Sequence, residues 1–371
     1  MNEPFASRVG NLQVSGIRKI FNMACSMEEC VNLSIGQADF DVPAPIRQAA
    51  VNAIEGGFNR YTMTGGIPEL RQGVLRQLEE RWDVRPEAAL ITCGATGGFV
   101  LACLALVEPG DEVLIPDPHF VLYRVVVELC GGVPVCYDTY PDFRPRRAEI
   151  VAKITSRSKM IVVNSPQNPT GVCYGAEDLK MVAEIAAQRD LLVISDEIYA
   201  DFVYDSQPLS MLQFHPKTLM LSGFSKSFAM PGWRVGYAVG PESIIEMMET
   251  LQQFIYACAP APFQQACAAE LDYDVSPHIA DYRGKRDLVY GGLEGYLELV
   301  KPGGAFYMFV KVPWPGKTAT EFVTAAVQRN LLLVPGATFS SRDTHFRLSF
   351  AAPDDQLEAG IEALREMAQQ P

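Results

Sequence analysis

The chain is 371 residues long, with 48% hydrophobic residues, 20% charged residues and a formal net charge of −13. That length is too great for one small core and predicts roughly two domains. The composition is that of a globular protein, and the acidic excess repels polyanions, which argues against nucleic acid as a partner.

Nine cysteines is an odd number, none are spaced as Cys-x-x-Cys, and Cys93, Cys103 and Cys136 lie in apolar runs. This is the pattern of buried free thiols in a reducing compartment. The four scattered histidines suggest no metal site. The N-terminus lacks the basic-then-apolar order of a signal peptide. The longest uncharged apolar run, Phe99 to Val107, is about half a membrane span. A soluble cytoplasmic protein is expected, with no membrane partner.

Helix-like and strand-like segments alternate from about residue 45. Leu70, Val74 and Leu78 form a helical stripe within Pro68–Trp82. Ala89–Cys93 reads as a buried strand, followed by a small-residue helix that Pro109-Gly110 ends. Glu112–Ile115 predicts a strand and Phe120–Leu129 a helix. Arg144, Arg146 and Arg147 read as a solvated loop and helix start. Val133–Tyr137, Met160–Val163, Leu191–Ile194, Leu219–Leu221 and Val235–Val239 are further strand candidates, with a helix carrying Leu179, Val182 and Ala186 among them. Such alternation predicts a mostly parallel sheet covered on both faces. After residue 241 the chain turns helix-rich, and it ends in strands at Ala305–Val310 and Phe346–Ala351 and a helix from Asp354. That predicts a smaller α+β unit.

The densest chemistry lies in Ser222-Gly-Phe-Ser-Lys226-Ser-Phe-Ala-Met-Pro-Gly-Trp-Arg234. A lysine among Gly223, Ser225 and Ser227 belongs to a tight polar turn. It can bond the aldehyde of a cofactor whose phosphate Arg234 holds; an ordinary surface lysine is the alternative. Thr92-Cys-Gly94-Ala95-Thr96-Gly-Gly98 joins a strand to a helix, where free N–H groups suit a phosphate. Its glycine spacing is not that of a dinucleotide site. Pro315-Gly-Lys-Thr318 lacks the upstream glycine of a P-loop, since position 311 is Lys311. Asp196 closes a strand, where it either pairs with a protonated pyridine nitrogen or caps a helix. Arg347 alternates with Phe346 and Leu348, so its fork stands apart from them, fit for a carboxylate or for the surface.

The lysine segment resembles that of the class I and II aminotransferases, of the aspartate and aromatic aminotransferase type, and further segments follow in that family's order. Asn164-Ser-Pro-Gln-Asn168-Pro-Thr-Gly171 is similar to its Asn-x-Pro-x-Asn-Pro-Thr-Gly. Leu33-Ser-Ile-Gly36-Gln-Ala-Asp39-Phe resembles its Gly-x-x-Asp-Phe. The segments starting at Tyr61, Asp117, Ser195, Pro302, Pro335 and His345 complete the pattern, from about Ser15 to Phe350.

The resemblance implies a cofactor, pyridoxal 5'-phosphate (PLP), and the PLP fold type I. That fold has a large domain with a mixed, mostly parallel seven-stranded sheet, plus a smaller α+β domain. The arm and part of the small domain are expected at 1–44, the large domain at 45–265 and the C-terminal small domain at 266–371. The implied catalytic residues are Lys226, Asp196 and Tyr199. Gly94, Ala95, Thr96, Ser225 and Arg234, with Tyr61 from a neighbouring subunit, surround the phosphate. Phe120 stacks on the ring, while Asn168 and Tyr199 share its phenolic oxygen. Gly36, Asn168 and Arg347 meet the substrate, with Arg347 on its α-carboxylate. A homodimer is implied.

Two departures stand out. Many members have serine three residues before the lysine, where this chain has Gly223, leaving Ser225 or Ser222 to substitute. Some aspartate-specific members have lysine at the position of Thr96. Ile17, Tyr256 and the arm near Phe21 suggest a pocket for neutral side chains, with Arg18 as a stand-in cation. A broad aminotransferase working by a ping-pong mechanism is therefore expected. The alternatives are a C–S β-lyase of the cystathionine type, an aspartate-specific aminotransferase and a PLP-binding regulator. The last carries a DNA-binding extension, for which there is no room before Ser15.

Overall fold

In the computed structural model, residues 5–10, 12, 16, 17, 20 and 30–369 are described. Its centre is a seven-stranded sheet. In chain order the strands are β2 (Ala88–Thr92), β3 (Glu112–Asp117), β4 (Val133–Asp138), β5 (Ser158–Asn164), β6 (Leu192–Asp196), β7 (Thr218–Gly223) and β8 (Gly236–Gly240), after a short β1 (Val31–Asn32) outside this sheet. The spatial order is β2-β8-β7-β6-β5-β3-β4, and only β8 runs against its neighbours.

The inner strands are apolar runs because both faces are covered. Leu114, Ile161, Val163 and Val193 face the helix Ala176–Arg189 through its Leu179, Val182 and Ala186. Alternate residues Val113, Ile115, Val162 and Ile194 face the opposite layer. There the helix Gly94–Leu106 is wedged between the sheet and the helix Glu242–Ile255, which is why its small and apolar residues have no polar side. The helix Pro68–Trp82 lays Leu70, Val74 and Leu78 on Ile91 and Val239. The arginines near residue 145 are tied at the surface, Arg146 and Arg147 to Asp142 and Glu184.

A second unit contains β9 (Tyr307–Lys311), β10 (Leu331–Leu332), β11 (Val334–Pro335) and β12 (His345–Ser349). β12 lies antiparallel between β11 and β9, while β10 pairs in parallel with β1. The helices Ser276–Leu293 and Asp354–Gln369 share its core with Leu33, Phe306 and Leu348. The segment carrying Gly36 is thereby joined to the C-terminal part of the chain. The expected strand Ala305–Val310 starts only at Tyr307, because Ala305 turns at a φ of 52°. No helix among the described residues is long and apolar enough to cross a membrane.

Candidate active site

The parallel strands deliver their carboxyl ends to one edge of the sheet. Asp117, Asn164, Asp196 and Gly223 end β3, β5, β6 and β7. β3 is followed outward by β4, whereas β5 is followed the other way by β6 and β7, so the chain changes direction between β3 and β5. Open α/β sheets bind ligands outside such a reversal. The antiparallel course of β8 puts its start, just after Arg234, at the same edge beside Gly223 and Thr92.

A cavity of about 390 Å³ lies there. Of the residues expected at the site, Gly36, Ala95, Thr96, Phe120, Asn168, Asp196, Tyr199, Ser225, Lys226, Arg234 and Arg347 line it. Gly94 lies directly behind: a Cβ on it, at a φ of +74°, would stand 2.7 Å from Arg234 Nη2. Tyr61 does not line this cavity and is 86% exposed. Ile17 does line it, while Arg18 and Phe21 lie outside the described residues.

One end of the cavity suits an anion. The helix Gly94–Leu106 opens there with the N–H groups of Ala95 and Thr96 in its first turn. Arg234 is aimed at the same place by hydrogen bonds to the carbonyls of Pro231 (2.8 Å) and Cys93 (3.2 Å). Ser225 lines this cavity, whereas the Ser222 hydroxyl is spent on the Glu197 carbonyl at 3.2 Å. Gly223 has a packing cause: a Cβ would sit 2.6 Å from the Gly236 Cα, so no serine fits.

Lys226 projects into the cavity and donates from Nζ to the Gly36 carbonyl at 2.6 Å. Burial, reinforced by the nearby Arg347 cation, lowers its pKa to about 8. A lysine in that range is part neutral near neutral pH and is a competent nucleophile and base.

Asp196 is buried, and burial pushes its carboxyl up. The Tyr123 hydroxyl, the Ile198 N–H and the Lys226 cation oppose that. Tyr123 donates to Oδ2 at 2.6 Å and Ile198 to Oδ1 at 3.2 Å. The Ile198 bond resembles a cap, but no helix follows, so the helix-capping alternative does not apply. Asn164 braces the same point: its amide donates to the Asp196 carbonyl (2.9 Å) and accepts from the Asn168 N–H (2.9 Å).

Arg347 is 1% exposed despite its place in a strand, since β12 is covered on both faces. It donates to Asn168 Oδ1 (3.0 Å) and the Ser34 carbonyl (2.7 Å), and its Nε is buried without a partner. Its guanidinium lies 4.4 Å from the Tyr307 ring and 4.9 Å from that of Phe339. With the Asn168 oxygen engaged, the amide nitrogen of that residue is left to donate. The hydroxyls of Tyr199 and Tyr307 are 2.8 Å apart.

Three of these residues had no assigned role in the sequence analysis: Tyr123, Asn164 and Tyr307. Each occurs in a quoted or expected segment, but the bond that ties it to the site spans far along the chain: 73 residues from Tyr123 to Asp196, 32 from Asn164 to Asp196 and 108 from Tyr307 to Tyr199. No spacing rule reaches that far. The arrangement fits PLP. The helix start, Arg234 and Ser225 suit its phosphate, Asp196 suits its ring nitrogen, and Lys226 lies between the groups that would hold a carboxylate and a ring. Arg347, which lines the cavity, brings a buried cation to the place of the substrate carboxylate.

The chain is similar to known proteins along nearly its whole length. Residues 28–364 match the family model "Aminotransferase class I and II". A "Probable aspartate aminotransferase" of Methanocaldococcus jannaschii is 36% identical, over 98% of this chain and 99% of that protein. An "Aromatic-amino-acid aminotransferase 2" of Thermococcus litoralis is 33% identical, over 98% of this chain and 97% of that protein. The solved aspartate aminotransferase of Thermus thermophilus with maleate superposes with a TM-score of 0.93 at 31% identity, covering 98% and 99% of the two chains.

Proposed function

The chain belongs to the class I and II aminotransferase family, whose cofactor is PLP, and we propose that it moves the amino group of a broad range of L-amino acids to a 2-oxoacid by a ping-pong mechanism. Bound PLP supplies an aldehyde for the amino group and a ring that draws electrons from the α-carbon. The N–H groups of Ala95 and Thr96, with Ser225 and Arg234, hold its phosphate. Phe120 packs on its ring, while Asn168 and Tyr199 serve its phenolic oxygen. Asp196 meets the ring nitrogen as a carboxylate. Arg347 binds the substrate carboxylate, and Gly36 lies against it. Lys226 Nζ takes the α-proton from the amino donor and, in the second half-reaction, delivers a proton to the α-carbon of the incoming oxoacid.

The observation behind a broad donor range is the charge inventory of the cavity. Among the described lining residues the cations are Lys226, Arg234 and Arg347, and each has one of these tasks. Ile17, Ile35, Val121, Leu122 and Ile198 supply apolar wall, and Thr96 stands where a lysine would attract a second carboxylate. Apolar pockets discriminate by only about 1–3 kcal/mol per methylene. The test is kcat/KM for phenylalanine, methionine, alanine and aspartate with 2-oxoglutarate, while ammonia is monitored. Phenylalanine or methionine should be used at least as well as aspartate. A preference for aspartate above about a hundredfold (some 3 kcal/mol) overturns the reading, and ammonia release from cystathionine favours the lyase.

We also assign the chain to a cytoplasmic homodimer. The cysteines among the described residues are all free, in keeping with a reducing compartment. Tyr61, Met63 and Phe254 are 86%, 60% and 80% exposed. Gln252 holds their segments together through the Thr64 carbonyl at 2.7 Å. An apolar patch of this kind suits a second copy, with Tyr61 reaching the partner's phosphate site. Mixing Lys226→Ala with Tyr61→Phe protein under subunit exchange should raise activity above that of the unmixed variants, since one site of each hybrid keeps both residues; a fully active monomer in sedimentation excludes the dimer.

A further inference from the structure

We propose that Tyr123 is a positioning residue that holds the Asp196 carboxylate, ionised and in one rotation, toward the ring nitrogen of the cofactor. This rests on the role given to Asp196 above. Tyr123 belongs to the helix Val121–Leu129 that follows β3, and Asp196 ends β6. β5 lies between those strands, so the hydroxyl reaches across a strand end to make its 2.6 Å bond. The ring that carries it is fully buried. Phe99 and Phe120 pack on that ring at centroid distances of 5.1 and 5.9 Å, the second edge-on at 81°. Such confinement leaves the phenol oxygen little freedom.

The direction of the bond is clear from the chemistry of the pair. An ionised carboxylate only accepts, and the phenol, which burial raises well above its ordinary range, stays protonated and donates. Bonds from a neutral donor to a charged acceptor are short and strong. Among the described residues, Asp196 has one other side-chain bond, from the Ile198 N–H to Oδ1. Oδ2 therefore depends on Tyr123. Without that hydroxyl, burial is opposed by less, and the carboxyl moves toward its neutral form. A neutral, rotating acid holds a protonated ring nitrogen poorly.

Geometry adds a second role. The Tyr123 N–H bonds to the Phe120 carbonyl at 3.2 Å, so one turn carries both the residue that packs on the ring face and the residue that braces its acid partner. Asn164 braces the Asp196 main chain from the end of β5, and Tyr123 braces the side chain from the helix that follows β3. Asp196 is thus held, main chain and side chain, by the segments on either side of the reversal of the sheet.

The test compares Tyr123→Phe, Asp196→Asn and the double variant as PLP-loaded enzymes. Tyr123→Phe keeps the ring and its packing and removes one oxygen. Its kcat should fall about ten- to a hundredfold, the range for withdrawing one hydrogen bond from a charged acceptor, with a much smaller change in KM. PLP affinity should also fall, and the pH at which the bound cofactor changes colour should shift. In the Asp196→Asn background the same change should have almost no further effect, because the carboxylate charge that Tyr123 holds is gone. Equal losses in both backgrounds, or an unshifted colour transition, would show that Tyr123 acts only by packing and would overturn the proposal. If Asp196→Asn is itself near native, the role of Asp196 fails, and the proposal fails with it. If Asp196→Asn is crippled but Tyr123→Phe is not, only the proposal fails.

Discussion

Replacing Arg347 tests how much of the site exists to grip a carboxylate. The guanidinium gives one N–H to Asn168 Oδ1 and one to the Ser34 carbonyl, and both acceptors are buried. Leaving two buried acceptors unpaired costs about 1–3 kcal/mol each, so Arg347→Ala should lower stability by about 2–6 kcal/mol. A domain is stable by about 5–15 kcal/mol in all, so alanine endangers the fold itself. Arg347→Lys is the safer probe: it keeps a cation but loses the planar fork. Cutting one partner of a buried charge pair costs about 2–5 kcal/mol in binding, roughly thirtyfold to several thousandfold. The assay is the single-turnover rate with phenylalanine against that with phenethylamine, which lacks the carboxylate. In Arg347→Lys, phenylalanine should lose most of that factor and phenethylamine nearly nothing. Equal losses would mean that Arg347 serves only Asn168 and Ser34 and would refute the clamp.

Two further outcomes follow from the same geometry. Lys226 has a pKa lowered from 10.5 to about 8 by burial, so between those values the unfolded chain binds more protons than the folded one and stability rises with pH. Cofactor-free Lys226→Met should therefore exceed the parent protein by roughly 3 kcal/mol below pH 8, and the gap should close by about pH 10.5 in denaturant titrations; a gap independent of pH contradicts the lowered pKa. For Gly36→Ala, the new Cβ would stand 2.6 Å from the Tyr307 hydroxyl, which is buried and tied to Tyr199. It should cost about 1–3 kcal/mol in thermal unfolding and weaken amino-acid binding. Adding Tyr307→Phe should recover most of the loss, and failure to recover it rules out this contact as the cause.

Much of the fold was legible because its signals are local. Leu192–Ile194 and Met160–Val163 are apolar runs that only a strand covered on both faces needs, and Leu70, Val74 and Leu78 repeat at helical spacing. The loop chemistry was local as well. Lys226 in its polar turn, Asn168 between two prolines and Asp196 at a strand end can be recognised one segment at a time, and all three line the same cavity.

What the sequence left open were the relations between segments. Alternation around Arg347 separated it from Phe346 and Leu348 but not inside from outside; only the tertiary contacts that bring Asn168, Ser34, Tyr307 and Phe339 around its guanidinium buried it. Ser222 and Ser225 were equal candidates until the Glu197 carbonyl took the first hydroxyl. Gly223 looked like a lost contact, and the tertiary structure made it a necessity, because Gly236 of β8 leaves no room for a side chain. Tyr123 was one aromatic among several until three strands met with their carboxyl ends together. Periodicity and turn chemistry act over a few residues and are written in the chain itself. Which hydroxyl meets which carboxylate depends on strand order, and strand order arises only when the whole sheet assembles.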